Sequence, residues 1–195
     1  MYLIDKAKAI LLTPKTEWEK IKTENDSHIT VLTTYLLWLA LIPAVAAFIG
    51  YGVIGYRVLG VYVGSIEWGI RQAIMQYITM IGGSYITAGV LTVLAEHFGA
   101  KKDFNKAFQL VAYCYTAACV GGIFYIYSPL SLLAGLVSLY SLYLLYIGLG
   151  PMTGVPKEKQ TTYFVVSLVC MVAVSIVLTL ILGAIFGLRA GMYSF

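Results

Sequence analysis

Residues with the chemistry for metal binding occur together at one place in the sequence. Glu96 and His97 are followed shortly by Asp103, and two carboxylates with an imidazole could hold a divalent cation. The spacing is not that of a zinc motif, and the same residues suit a solvated helix end with Asp103 as the N-cap of the next helix. We therefore predict no metal site and no cofactor, and leave Glu96, His97 and Asp103 as an open alternative.

Tyrosines and threonines are the second group of chemistry-bearing residues, and they lie inside apolar segments. Tyr113 and Thr116 are on one such segment, and Tyr140 and Tyr143 are on another. A hydroxyl inside a bilayer needs a hydrogen-bond partner. We therefore predict that Tyr113 and Thr116 face Tyr140 or Tyr143 across a pair of helices. The alternative is that this hydroxyl face lines a path for a small solute or a lipid.

Catalytic motifs are absent from the sequence. There is no GxSxG, HExxH, P-loop or dinucleotide fingerprint. Cys114, Cys119 and Cys170 lie in apolar runs without CxxC or Cys/His spacing, which predicts buried, reduced thiols. We therefore expect no enzymatic activity.

The elements that position these side chains are predicted to cross a membrane. The chain is 60% hydrophobic and 11% charged, whereas a soluble domain is about 25% charged. Its Asp, Glu, Lys and Arg residues are separated by long charge-free runs, and such runs of more than about 18 residues are typical of transmembrane helices. The predicted spans cover about 30–54, 70–97, 104–127, 129–150 and 158–187. The predicted fold is an all-α membrane protein, with an N-terminal arm (1–28) followed by a five-helix transmembrane domain (29–195).

The arm, residues 1–28, is charged but patterned. Apolar residues recur at helical spacing, with lysines between them, and Thr13-Pro14 is a good helix start. This predicts two short amphipathic helices in the membrane interface, with Trp18 as an anchor at headgroup depth and Ile21 on the same face. A solvated arm is the alternative.

The connections between spans give further predictions. The segment 55–72 is predicted to be an interfacial loop, with an ion pair between Glu67 and Arg71, four residues apart on a helix. Close packing is predicted at Gly121 and Gly135, because small residues let transmembrane helices approach each other.

Basic residues are distributed unevenly between the two predicted faces. Ten lysines precede the first span or lie in the second and fourth connections, whereas three arginines lie on the other side. The positive-inside rule then predicts a cytoplasmic N-terminus and an external C-terminus. The net charge of +4 is explained by this orientation and by anionic lipid, without nucleic acid.

Four segments carry a family resemblance: TPKTEWEKIKTE (13–24), LIP (41–43), LAEHFGAKKDFNKAFQLVAYCYTAACVGG (94–122) and SLYSLYLLYIGLGPMTGVPKEKQTTY (138–163). In combination they resemble the Yip1 domain family in its bacterial form, which implies a cytoplasmic N-terminus followed by five helices. The chain has Thr116-Ala117 where the family commonly has threonine and proline, and it lacks the Asp-Leu-Tyr-Gly-Pro motif of eukaryotic relatives. The trafficking role and small-GTPase contacts of those relatives are therefore not carried over.

Two functions follow as hypotheses. The first is a membrane-organising or adaptor protein of a bacterial inner membrane, which binds lipids or a protein partner on its cytoplasmic face. The second is a transporter of a small solute or lipid that uses the hydroxyl face. The lack of charged residues in the interior of the spans, away from their ends, favours the first, since pumps and ion carriers place such residues in the membrane. The sequence leaves oligomer formation open.

Overall fold

The computed structural model describes residues 2–58 and 61–191. The arm forms α1 (Tyr2–Leu12) and α2 (Pro14–Thr23). The longer helices are α3 (His28–Ile54), α4 (Ile66–Phe98), α5 (Phe104–Ile126), α6 (Ser131–Thr153) and α7 (Lys157–Gly191). Two short strands, β1 (Tyr56–Val58) and β2 (Val61–Val63), pair between α3 and α4.

Helices α3 to α7 are long and apolar enough to cross a membrane. The five predicted spans are therefore confirmed, and each boundary lies within about four residues of its prediction. A helix suits these continuous apolar runs because it pairs nearly all backbone N–H and C=O groups within the segment, away from lipid. In α3 the ladder widens to π-helical turns at Leu32–Leu36 and Ile49–Ile54.

Helix α5 lies at the centre of the bundle and α7 at its edge. In the most apolar 18-residue stretch of each helix, 72% is buried in α5 but only 6% in α7. Small residues allow the close approach: a Cβ on Gly121 would lie 2.8 Å from the Val137 side chain, and one on Gly122 would lie 2.4 Å from Pro43 Cβ. Close packing is thus confirmed at Gly121. At Gly135 the prediction is wrong, since a Cβ there would meet nothing within 4 Å.

The connection from α3 to α4 contains a β-hairpin where an irregular loop was predicted. Tyr56 pairs with Val63 and Val58 with Val61, as β-branched and aromatic residues favour. Ser65 then caps α4 by accepting a hydrogen bond from the Trp68 N–H. The predicted ion pair is present in the first turns of α4, with Arg71 3.3 Å from Glu67.

The arm is packed into the protein. Helix α1 contacts α5, and α2 contacts α6. Trp18 is 1% exposed and Ile21 is fully buried, in one continuous core with residues of the spans. The prediction of Trp18 as an anchor at headgroup depth is therefore wrong, because the apolar face of α2 is covered by protein.

Candidate functional site

The junction between arm and bundle brings together most of the residues singled out in the sequence. Trp18 lies in a groove between α5 and α6, with its ring edge-on to Tyr113 at 6.4 Å between centroids. On the opposite side it contacts Gly148, where an added Cβ would lie 2.6 Å from Trp18 Cε2. The indole therefore fits only because residue 148 has no side chain.

A buried charge cluster holds α1 to α2. The Lys6 ammonium, 6% exposed, lies 3.1 Å from Glu17 and 2.6 Å from Glu24. Burial alone lowers the pKa of Lys6, but its hydrogen bonds to Glu24 and Glu17 outweigh this, and the pKa is raised above 10.5. Lys6 therefore stays charged at physiological pH, and its carboxylate partners offset the desolvation cost of its burial.

The first turns of α5 hold the end of the arm. Lys106 Nζ donates to the backbone carbonyls of Ile21 (3.4 Å), Lys22 (2.9 Å) and Glu24. Gln109 Nε2 donates to the Asp26 carbonyl at 2.8 Å. A cation at the C-terminus of α2 satisfies carbonyls that the helix leaves open and complements its dipole.

The hydroxyl groups have other partners than predicted. Tyr35 on α3 bonds Thr116 Oγ1 at 2.7 Å, and Tyr140 donates to the Leu11 carbonyl of the arm at 2.9 Å. The predicted pairing of Thr116 with Tyr140 or Tyr143 is therefore wrong. The Tyr113 ring packs edge-on against the Tyr35 ring, with 4.9 Å between ring centroids. The Tyr143 ring is tilted against the Tyr140 ring, with 5.4 Å between ring centroids. The physical reason is that Thr116 faces α3 on one side of α5, whereas Tyr140 on α6 faces the arm.

Two of the three candidate metal residues, Glu96 and Asp103, have structural partners. Glu96 forms an ion pair with Lys102 at 2.9 Å, and Asp103 caps α5 by accepting from the Lys106 N–H at 3.1 Å. Within residues 2–58 and 61–191, no three His, Cys, Asp or Glu residues are close enough to share a metal ion.

A second site lies between α5, α6 and α7, where α7 leaves a groove of about 510 Å³. Three lining residues of α7, Val172, Ile176 and Leu180, are more than half exposed, so the groove opens sideways to the bilayer. Its polar lining consists of hydroxyls: Tyr115, Ser138, Ser141, Ser175 and Thr179.

Ser141 is the hydroxyl of this groove that lacks a partner. Its Oγ is buried and bonds nothing in the described part of the chain. By contrast, Ser138 and Ser175 donate to carbonyls four residues earlier on their own helices. This groove was not predicted from the sequence, although Ser138 and Ser141 on α6 are three residues apart and Ser175 and Thr179 on α7 are four apart.

The fold and the laterally open groove define a multi-pass integral membrane protein of five spans. The chain belongs to the Yip1 domain family, whose sequence model matches residues 8–191.

Two relatives carry the same name. The chain is 27% identical over 156 residues to the inner membrane protein YohC of Escherichia coli strain K12, covering 77% of this chain and 80% of YohC. YohC of Escherichia coli O6:H1 strain CFT073 matches with the same identity and coverage. No solved structure matches the chain at a significant level.

Proposed function

We propose that this chain is a non-enzymatic membrane-organising or adaptor protein that binds lipid or a partner protein from within the bilayer. The observation that supports this most is the groove between α5, α6 and α7. The name of the relative YohC supports a place in a bacterial inner membrane.

The chemistry of the groove favours an apolar occupant that enters from the side. Binding sites for small molecules are commonly 300–1,000 Å³ in volume and largely apolar, with a few polar groups that orient the ligand. The groove has this size and lining, and its exposed α7 residues lie within a membrane-spanning segment. A lipid acyl chain, or a side chain of a partner helix, fits such a surface.

Transport of a small solute or lipid is the second candidate. The predicted route along Tyr113 and Thr116 is filled, since these residues are 1% and 0% exposed and Thr116 is hydrogen-bonded. The hydroxyl-bearing residues that line the groove instead favour it as the place where a substrate with a polar group would bind.

The test is to fill the groove and measure bound lipid. Ser175→Phe places a ring in the groove, whereas Val177→Phe places the same ring on a part of α7 that does not line it. We expect native mass spectrometry to find one fewer retained lipid per chain in Ser175→Phe than in Val177→Phe or the unmodified protein. Equal lipid retention in all three would contradict a lipid occupant.

Reconstituted vesicles separate the second candidate from the first. The adaptor proposal expects no flux of phospholipid analogue or of neutral solute above that of protein-free vesicles. A flux that Ser175→Phe abolishes and Val177→Phe preserves would overturn the adaptor proposal in favour of transport.

A further inference from the structure

The turn between α1 and α2 lies deep along a transmembrane helix. Residues 12–16, which include this turn, line a pocket together with Tyr143, and further along α2 Trp18 packs against Gly148. Helix α2 therefore runs beside the second half of α6, which ends at Thr153. Ten residues separate Tyr143 from that end, which corresponds to about 15 Å along the axis.

This depth places the turn inside the hydrocarbon layer. Helix α6 has 23 residues, or about 34 Å, and the hydrocarbon core of a bilayer is about 30 Å thick. Helix α6 is thus about 4 Å longer than the hydrocarbon core is thick. If all of that extra length extended beyond the core at the Thr153 end, Tyr143 would still lie about 10 Å inside the hydrocarbon. The arm would then be a re-entrant helical hairpin.

Several polar groups of the turn have hydrogen-bond partners within the protein. The Thr13 N–H donates to the Ala9 carbonyl at 2.9 Å, and the Thr13 hydroxyl donates to the same carbonyl at 3.1 Å. The Thr16 hydroxyl donates to the Thr13 carbonyl at 2.9 Å, and Tyr140 donates to the Leu11 carbonyl.

The outer face of α1 exposes two large apolar side chains together with the charged Asp5. Leu12 is 78% exposed and Ile4 57% exposed, on the side of α1 opposite its buried Ala7 and Ile10. Lys8 and Lys15 are exposed beside them. Long lysine side chains can extend from an apolar surface to the headgroups, where anionic lipids attract them.

We infer that the hairpin is a lipid-binding element: Leu12 inserts into the leaflet on the N-terminal side of the spans, and Lys8 and Lys15 bind anionic phospholipid there. This inference is independent of the groove proposed above. It also differs from the interfacial arm predicted from the sequence, because the surface that faces lipid contains Leu12 and Ile4 instead of Trp18 and Ile21.

Spin labels on a single cysteine test the depth. After the three native cysteines are replaced, Leu12→Cys carries the label at the turn between α1 and α2, and Lys22→Cys carries it near the far end of α2; both positions are exposed. In phosphatidylglycerol-containing vesicles, we expect the label at 12 to be accessible to oxygen and shielded from a water-soluble nickel chelate. The label at 22 should show the reverse. A water-accessible label at 12 would overturn the inference.

The choice of lipid is tested with matched charge changes. The label at 12 should be more immobilised in vesicles of phosphatidylcholine mixed with phosphatidylglycerol than in phosphatidylcholine alone. The double variant Lys8→Gln/Lys15→Gln should remove this difference, whereas Lys20→Gln/Lys22→Gln should retain it. Equal immobilisation in both lipids would overturn the anionic preference. Dipolar coupling between labels of two chains would identify a second copy as the occupant and overturn the proposal.

Discussion

Replacing Gly148 by alanine should release the arm from the bundle. The added Cβ would lie 2.6 Å from Trp18 Cε2 and 2.7 Å from Leu110 Cδ1, both closer than van der Waals contact. Overpacking of this kind costs about 1–3 kcal/mol. If this cost destabilises the docked state, in which the arm packs against α5 and α6, the population of chains with a released arm rises about 5- to 150-fold.

Trypsin digestion in native membranes measures that population. Lys20 and Lys22 are exposed cleavage sites on α2. When opening and closing are fast, cleavage that requires opening follows the open population. Gly148→Ala should therefore speed arm cleavage about 5- to 150-fold relative to the unmodified chain.

Two comparisons make the result specific to the indole. Gly135→Ala on the same helix adds a Cβ that meets nothing within 4 Å, so it should leave arm cleavage unchanged. In a Trp18→Leu background, Gly148→Ala should change the rate by only about twofold, because the indole atoms it collides with are gone and only the flexible end of the Leu110 side chain remains in the way. If Gly148→Ala speeds cleavage equally in both backgrounds, or if Gly135→Ala has the same effect, the packing argument is refuted.

Three further predictions concern single contacts and orientation. Lys106→Met removes the donor to the carbonyls at the end of α2 and should destabilise arm docking by about 0.3–1 kcal/mol, seen as up to about fivefold faster cleavage. Tyr35→Phe removes the buried bond to α5 and should lower bundle stability by about 0.6 kcal/mol in detergent unfolding; an unchanged midpoint would contradict its role. A cysteine at position 101 should be shielded from impermeant thiol reagents in intact cells, and one placed just after Arg189 should label. The reverse pattern would overturn the predicted orientation.

The spans could be predicted from sequence because hydropathy reports directly whether a segment suits water or lipid. The arm could not, since an amphipathic helix shows the same periodicity whether its apolar face meets lipid or protein. Trp18 and Ile21 share a face as predicted, yet that face is covered by α5 and α6. The pattern predicted the helix and left its partner undetermined.

The same limit applies to the hydroxyls and glycines. The sequence required a partner for Thr116 but did not say which of the many hydroxyls supplies it, and Tyr35 does. Gly121 and Gly135 lie in similar apolar sequence, but only Gly121 faces a neighbouring helix closely. The groove depends on how far α7 diverges from α6, a distance between helices that no local pattern encodes.

The position of Trp18 also has a consequence for biogenesis. Its contact residue, Gly148, follows 130 residues later in the chain, so at about 5–20 residues per second it is synthesised roughly 6–26 s after Trp18. During that interval the groove between α5 and α6 is incomplete. The apolar face of the arm can contact the membrane interface instead. The arm would then rest on the membrane while the ribosome completes the spans, and docking would be a late step of assembly. A block in synthesis between α5 and α6 would leave it there.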